Sequence, residues 1–222
     1  MDLSVFGSPF VPKSVEDLKA ALTERGINLQ GEKSPSYLFE ELRVGRCAFA
    51  ITIVGKLIRV VASALIIAFP PGDNKNFWRE YGKWVRGADG RPVFKERKYP
   101  FTGEGINLVV NETPVAAAFR GLEEELDMGE ENVNDWAQIG PPDGIKMIQK
   151  SLSAGMDTGY ILFPFAIQLG TNPTSAEMPA WLSKTPPPDE VWRVDGDRSK
   201  ARVLCFRLEH FPENWEDKLN IV

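Results

Sequence analysis

The sequence predicts an α/β or α+β layered domain: a mixed sheet with one prominent central helix and flanking helices. Three observations carry this. The runs "CAFAITIV" and "LIRVVASALIIAF" are rich in β-branched and aromatic residues. Gly55-Lys56 separates them, so they are expected as buried strands joined by a turn. Residues 113–126 repeat apolar side chains at spacings of three and four, the period of a helix with one buried face. Residues 14–25 do the same near the N-terminus, and layers of strand and helix are the way such elements share a core.

In chain order, "SVEDLKAALTER" opens on a capping-box-like Ser14 and Asp17, turns Val15, Leu18 and Leu22 to one face and stops at Gly26. A second helical patch covers "SYLFEEL" at 36–42. The two buried strands follow, and "PPGDN" at 70–74 ends the second. Two short strands are expected around the turn "GADGRP", then the glycine-bearing loop "TGEGINLVVN", then the central helix. "GYILFPFAIQL" at 159–169 reads as a strand and "NPTSAEMPAWLSKTPPPDE" as a proline-rich loop. "VWRV" and "ARVLCFRL" are strands, and "PENWEDKLNI" closes as a helix. Residues 1–45 are expected as an extension packed on a main domain, 46–222.

Composition excludes several classes. A net charge of −5 argues against DNA and RNA as partners, because phosphate-backbone binding is driven by Lys and Arg. Cys47 and Cys205 sit in apolar runs and are expected as buried free thiols, not a disulfide. His210 is the one histidine, which leaves no zinc-ligand set. The N-terminus has no basic segment followed by an apolar one, and the uncharged run from Val60 is too short to span a bilayer. A cytoplasmic protein with no membrane contact is the expectation. No G-x-S-x-G, P-loop or dinucleotide fingerprint is present.

The central helix carries the chemistry. Thr113 suits the N-cap and Pro114 the first helical position. Val115, Ala118, Phe119, Leu122 and Leu126 form the apolar stripe, and Arg120 and Glu124 can pair across one turn. Gly121, Glu124 and Glu125 lie together at i, i+3 and i+4. Adjacent carboxylates beside an apolar stripe repel unless a cation compensates, and Mg²⁺ is a cation that carboxylates bind. A solvated acidic helix face is the plainer alternative.

Residues 111–128, "NETPVAAAFRGLEEELDM", resemble the Nudix box, in the form "GETPxxAxxRELxEExGU", where U is bulky and aliphatic. Glu112, Thr113, Pro114, Ala117, Arg120, Leu122, Glu124, Glu125 and Met128 match. "TGEGIN" aligns with the family's "PGGGIE" if the loop carries two extra residues, so the divergent box covers 103–128. The resemblance implies a Nudix-like αβα sandwich and a Mg²⁺ or Mn²⁺ site. Glu124 and Glu125 would be metal ligands, Glu112 a support for them, and a backbone carbonyl near Gly103 a further ligand. Glu104, Glu177 and Glu190 are candidates for a base. Two departures matter. Gly121 stands where the family has a metal-binding glutamate, and Asp127 stands where it has glycine.

Arg91, Arg97 and Lys98 of "RPVFKERKYP" are candidate phosphate contacts, and Trp84 of "FWREYGKW" is a candidate stacking surface for a base or isoprenoid. An exposed basic strand and hairpin packing are the plainer alternatives. The resemblance implies a pyrophosphohydrolase acting on a nucleoside diphosphate derivative or related organic diphosphate, and a homodimer is common in the family. Gly121 keeps a second reading open, a Nudix-fold module that binds a ligand or protein without hydrolysis. Either Glu123 or Glu104 replaces the missing carboxylate, or hydrolysis is weak or absent.

Overall fold

The computed structural model describes residues 1–29, 33–97, 99, 101–108, 110–151, 154–196 and 201–220. The protein is α+β. Among the described residues there are three α-helices: α1 (Val15–Glu24), α2 (Pro35–Arg43) and α3 (Pro114–Leu126). The strands are β1 (Ser8–Phe10), β2 (Ala48–Ile51), β3 (Leu57–Phe69), β4 (Asn76–Arg86), β5 (Pro92–Glu96), β6 (Thr102–Gly105), β7 (Val133–Gln138), β8 (Ile145–Ser151), β9 (Met156–Leu169), β10 (Glu190–Asp195) and β11 (Arg202–His210). Seven form a mixed sheet ordered β1-β2-β3-β9-β7, with β6 beside β3 and β8 beside β9. Four form an antiparallel sheet ordered β10-β11-β4-β5.

The described chain falls into two compact units. The first holds Met1–Ala64, Gly105–Ala117 and Gly140–Phe163. Its core joins Leu18 and Leu22 of α1, Leu38 of α2, Phe49 of β2, Leu57 and Val61 of β3, and Met156 of β9. Ser14 caps α1 by accepting the Asp17 N–H, as the sequence predicts. β1 adds itself to β2, Pro9 opposite Ala50. One buried charge cluster interrupts this apolar unit. Arg59 lies 3.0 Å from Glu41, which also takes Lys33 at 2.5 Å. Arg59, which breaks the apolar run in the sequence, is therefore neutralised inside the fold.

The second unit holds Leu65–Glu104, Ala118–Ile139 and Pro164–Val222. Phe69, Phe77, Phe101, Phe211 and Trp215 pack ring against ring, with centroids 5.4 Å apart for Phe69 and Phe211. β4 and β11 pair along their length, with a bulge between Cys205 and Phe206. Residues 171–189 contain no helix or strand, in keeping with their proline content.

Four local expectations change. In "TGEGINLVVN", read as a loop, Thr102–Gly105 forms β6 beside β3. The strand before "GADGRP" runs 11 residues, because β11 pairs with most of it. The closing helix is a short 3-10 turn, Trp215–Asn220. β7 and β8 fill a stretch left unassigned by sequence. Their side chains are largely exposed, so each lacks an apolar signature and is held by pairing to β9. Among the described residues no helix is long and apolar enough to cross a membrane.

Both cysteines are buried and free. Burial pushes the Cys47 thiol up to about 11 and the Cys205 thiol up to about 12. Native protein at pH 8 is therefore expected to give no reaction with a colorimetric thiol reagent, and both thiols should react once it is unfolded in guanidinium. Rapid labelling of the native protein would contradict this burial.

Candidate functional site

α3 begins as its sequence dictates. The Thr113 hydroxyl accepts the Ala116 N–H at 3.2 Å, and the Thr113 carbonyl accepts the Ala117 N–H at 3.1 Å. Ala118, Leu122 and Leu126 are buried, and Phe119 sets its ring edge-on to Trp136 at 6.0 Å. The residues flanking the helix are informative. Asn111 has φ 54° and Asp127 has φ 58°, and these are the non-glycine residues with positive φ among those described. A left-handed backbone costs an L-residue about 1–2 kcal/mol, with Asn and Asp the side chains that tolerate it best. Both positions are glycine in the pattern "GETPxxAxxRELxEExGU". Asp127 is further fixed by Arg193, 2.5 Å away on β10.

Gly121 has a steric cause. A Cβ there would lie 2.6 Å from the Glu104 Cβ and 2.6 Å from the Ile66 Cδ1, inside any real contact distance. The Glu104 side chain, arriving from β6, occupies the space that a side chain at 121 would need. Its carboxylate pairs with Arg120 at 2.6 Å, and the same Arg120 nitrogen reaches Glu124 at 3.3 Å.

The four-stranded sheet turns one charged face to this part of α3. Alternation along the strands puts Lys95 opposite Lys83, Lys83 opposite Leu204, and Asp195 opposite Arg202, all on that face. Arg97 continues the row and pairs with buried Glu80 while donating to the Phe101 carbonyl at 3.0 Å. Glu125 points into this surface. Its Oε2 is buried and finds no hydrogen-bond partner among the described residues. Burial pushes the Glu125 carboxyl above its ordinary range; Arg97 and Arg202 pull it down, and Asp195 and Glu104 push it further up. Lys83 is held below its ordinary range by burial and by the neighbouring charges of Arg202 and Lys95. The result is a mixed surface of both signs, in which Arg120 pairs with Glu104 and Glu124, Arg97 with Glu80, and Arg202 with Asp195.

No protein-family model matches this chain, and no curated protein matches it. What the site can do must be argued from its own residues.

Of the sequence candidates, Glu124 and Glu125 meet Glu104 and Arg97 in the second unit, while Glu123 is exposed on α3. Gly103 lies exposed in β6, next to Glu104. Glu112 belongs to the first unit. There its Oε2 accepts the Asn107 N–H at 2.7 Å, and with Asn111, Thr113, Pro114 and Lys146 it lines a cavity of about 520 Å³. Arg91 stands in the β4–β5 turn with its backbone N–H on Asp89, 3.0 Å. Trp84 lies on the opposite sheet face, packed on Phe94 and Trp192 with Lys184 over its ring at 4.8 Å. Lys98 lies outside the described residues. Glu177 is exposed, and Glu190 accepts from Tyr81 at 2.5 Å and from the Trp192 ring N–H at 2.7 Å.

Sequence reading missed Lys83, Asp195 and Arg202. Arg193 and Asp195 of "VWRVDG" recur at the two-residue period of one strand face, but Lys83 and Arg202 carry no such local signal and join that face only through sheet register. Among the described residues, no three His, Cys, Asp or Glu side chains are grouped to enclose a metal ion. Mg²⁺ is bound through one or two carboxylates, with waters and substrate phosphates completing its shell, so an enclosing cage is not required.

Proposed function

We propose that this chain is a Nudix-type hydrolase that cleaves a diphosphate linkage in a nucleoside diphosphate derivative or related organic diphosphate, with Mg²⁺ or Mn²⁺. The observation that carries the reading is the backbone at Asn111 and Asp127. Two residues adopt a glycine-like conformation at the two glycine positions of the pattern, φ 54° and 58°, one on each side of the helix. A positive φ just past a helix C-terminus is common to helices in general, so it is the pair of positions, not Asp127 alone, that favours the pattern.

Glu125 offers the implied ion a buried oxygen without a hydrogen-bond partner among the described residues. Glu104 and Glu124 are both held by Arg120, and no three such carboxylates are grouped to hold a metal among the described residues. When bound, the ion neutralises diphosphate charge and lowers the pKa of a bound water. The chain's own part is to place the substrate. Lys83, Arg97 and Arg202 present cationic groups towards the helix carboxylates, where phosphate oxygens would lie.

A second reading, a Nudix-fold module that binds without hydrolysis, is favoured by one contact: Arg120 stands between Glu104 and Glu124, itself neutralising both. A substrate panel separates the two. Dinucleoside polyphosphates, nucleotide sugars, nucleoside triphosphates and prenyl diphosphates are incubated with the protein and Mg²⁺ or Mn²⁺, and phosphate-containing products are resolved by chromatography. Metal-dependent release from at least one compound is expected. Binding of a panel member with no turnover of any would establish the second reading instead.

A further inference from the structure

Two cations of the four-stranded sheet face each other with no counter-charge between them. We infer that Lys83 and Lys95 form a subsite for a terminal, doubly charged phosphate, so that the ligand of this chain carries a free phosphate end and not a diphosphate esterified on both sides. For the rest of the ligand this rests on the proposed hydrolase reading.

Register makes the pair. β4 and β5 run antiparallel with Lys83 directly opposite Lys95, so both side chains leave the same face of the sheet. Like charges directly opposite on a sheet repel and destabilise it. The other cations of this face are matched: Arg97 with Glu80, Arg202 with Asp195 and Arg193 with Asp127. Among the described residues neither Lys83 nor Lys95 forms an ion pair with a carboxylate. Burial, with Arg202 and Lys95, holds the Lys83 ammonium below its ordinary range against the pull of Glu125 and Asp195. Protection of a sheet edge explains a lysine on β5, the outer strand. It does not explain Lys83, half-buried on β4 between β5 and β11. A terminal phosphate has the matching charge. It carries about −1.5 to −2 near pH 7, whereas a phosphate esterified on both sides carries a single charge. Two ammonium groups, each a compact point charge with three donors, suit the larger one. Nucleoside triphosphates and prenyl diphosphates have such an end; nucleotide sugars and dinucleoside polyphosphates do not.

Calorimetric titration of the whole chain in EDTA tests this with two probes. Adenosine diphosphate has a free outer phosphate, and adenosine diphosphate glucose has an esterified one. The wild type is expected to bind adenosine diphosphate about tenfold more tightly, the effect of one further hydrogen bond to a charged group. Lys83→Met/Lys95→Met keeps the side-chain stems and should bring the two affinities together. Lys95→Met alone, at an exposed position, should lessen the preference without disturbing folding. Lys19→Met, which removes an exposed lysine of α1, should leave the preference unchanged. Equal affinities in the wild type, or binding of neither probe, would overturn the inference, while the hydrolase reading stands or falls separately on turnover with metal. A wild-type preference that survives the double variant would overturn it too, by placing the phosphate elsewhere. A preference that depends on Lys83 and Lys95, with no turnover of any panel compound, would keep the subsite and remove the hydrolysis.

Discussion

Under the proposed hydrolase reading, replacing Glu125 by glutamine is expected to lower hydrolysis about 10²- to 10³-fold, the loss seen when one preorganised electrostatic group is removed; independently of that reading, it is expected to make the protein more stable at neutral pH. The two effects share one cause. Glu125 is held in a desolvated place with one oxygen lacking a hydrogen-bond partner among the described residues, and burial raises its pKa above the ordinary value of 4.5. A raised carboxyl means that the folded state binds the proton more tightly than the unfolded chain does. Its contribution to stability is therefore complete below about pH 4.5, and is lost as pH rises through the folded pKa. Glutamine carries no charge at any pH, so the variant should gain on the wild type as pH rises and show no advantage in acid. The gain should be present at pH 8 and absent at pH 4. Thermal unfolding in EDTA across pH 4 to 8 reads this directly. Equal stability of the two proteins at pH 8 would show that Arg97 and Arg202 already balance the charge, and unchanged turnover would remove Glu125 from the site.

Glu41→Ala should cost about 3–5 kcal/mol, because it leaves a buried guanidinium without its counter-charge. Glu41 and Arg59 are each 7% exposed, their ion pair is 3.0 Å long, and Lys33 shares the same carboxylate at 2.5 Å. The magnitude follows from asymmetry. A buried pair adds little beyond a well-packed apolar substitute, since desolvation offsets the attraction, yet removing one partner strands the other. Glu41→Leu with Arg59→Met should therefore return most of the loss. Urea unfolding monitored by tryptophan fluorescence distinguishes the outcomes. A single-variant loss below about 1 kcal/mol would mean that water reaches Arg59 and screens it as at the surface.

Much of this architecture was legible in order along the chain. The apolar runs that became β2 and β3, the capped α1, and the stripe of α3 are local patterns in which period and capping agree, so tertiary context had nothing to override. The residues of the acidic helix and the spacing of Arg120, Glu124 and Glu125 could be read the same way. β7 and β8 could not, because each is stabilised by pairing to β9 more than by its own apolar content. The basic face was illegible for a related reason. Lys83 and Lys95 share one hairpin, but Arg202 comes from a strand far along the chain and joins their surface only through sheet register.

The sequence by itself determined that residues 113–126 form a helix with its carboxylates at one-turn spacing, since periodicity and capping act within a few residues. It also marked Gly121 and Asp127 as departures from the Nudix pattern. Tertiary structure alone decided what those departures mean. Asp127 has a left-handed backbone at a position where the pattern has glycine, a property of φ that no letter code displays. Gly121 lacks a side chain because Glu104, from another element, fills its space, and such exclusion between distant residues exists only once the chain has folded.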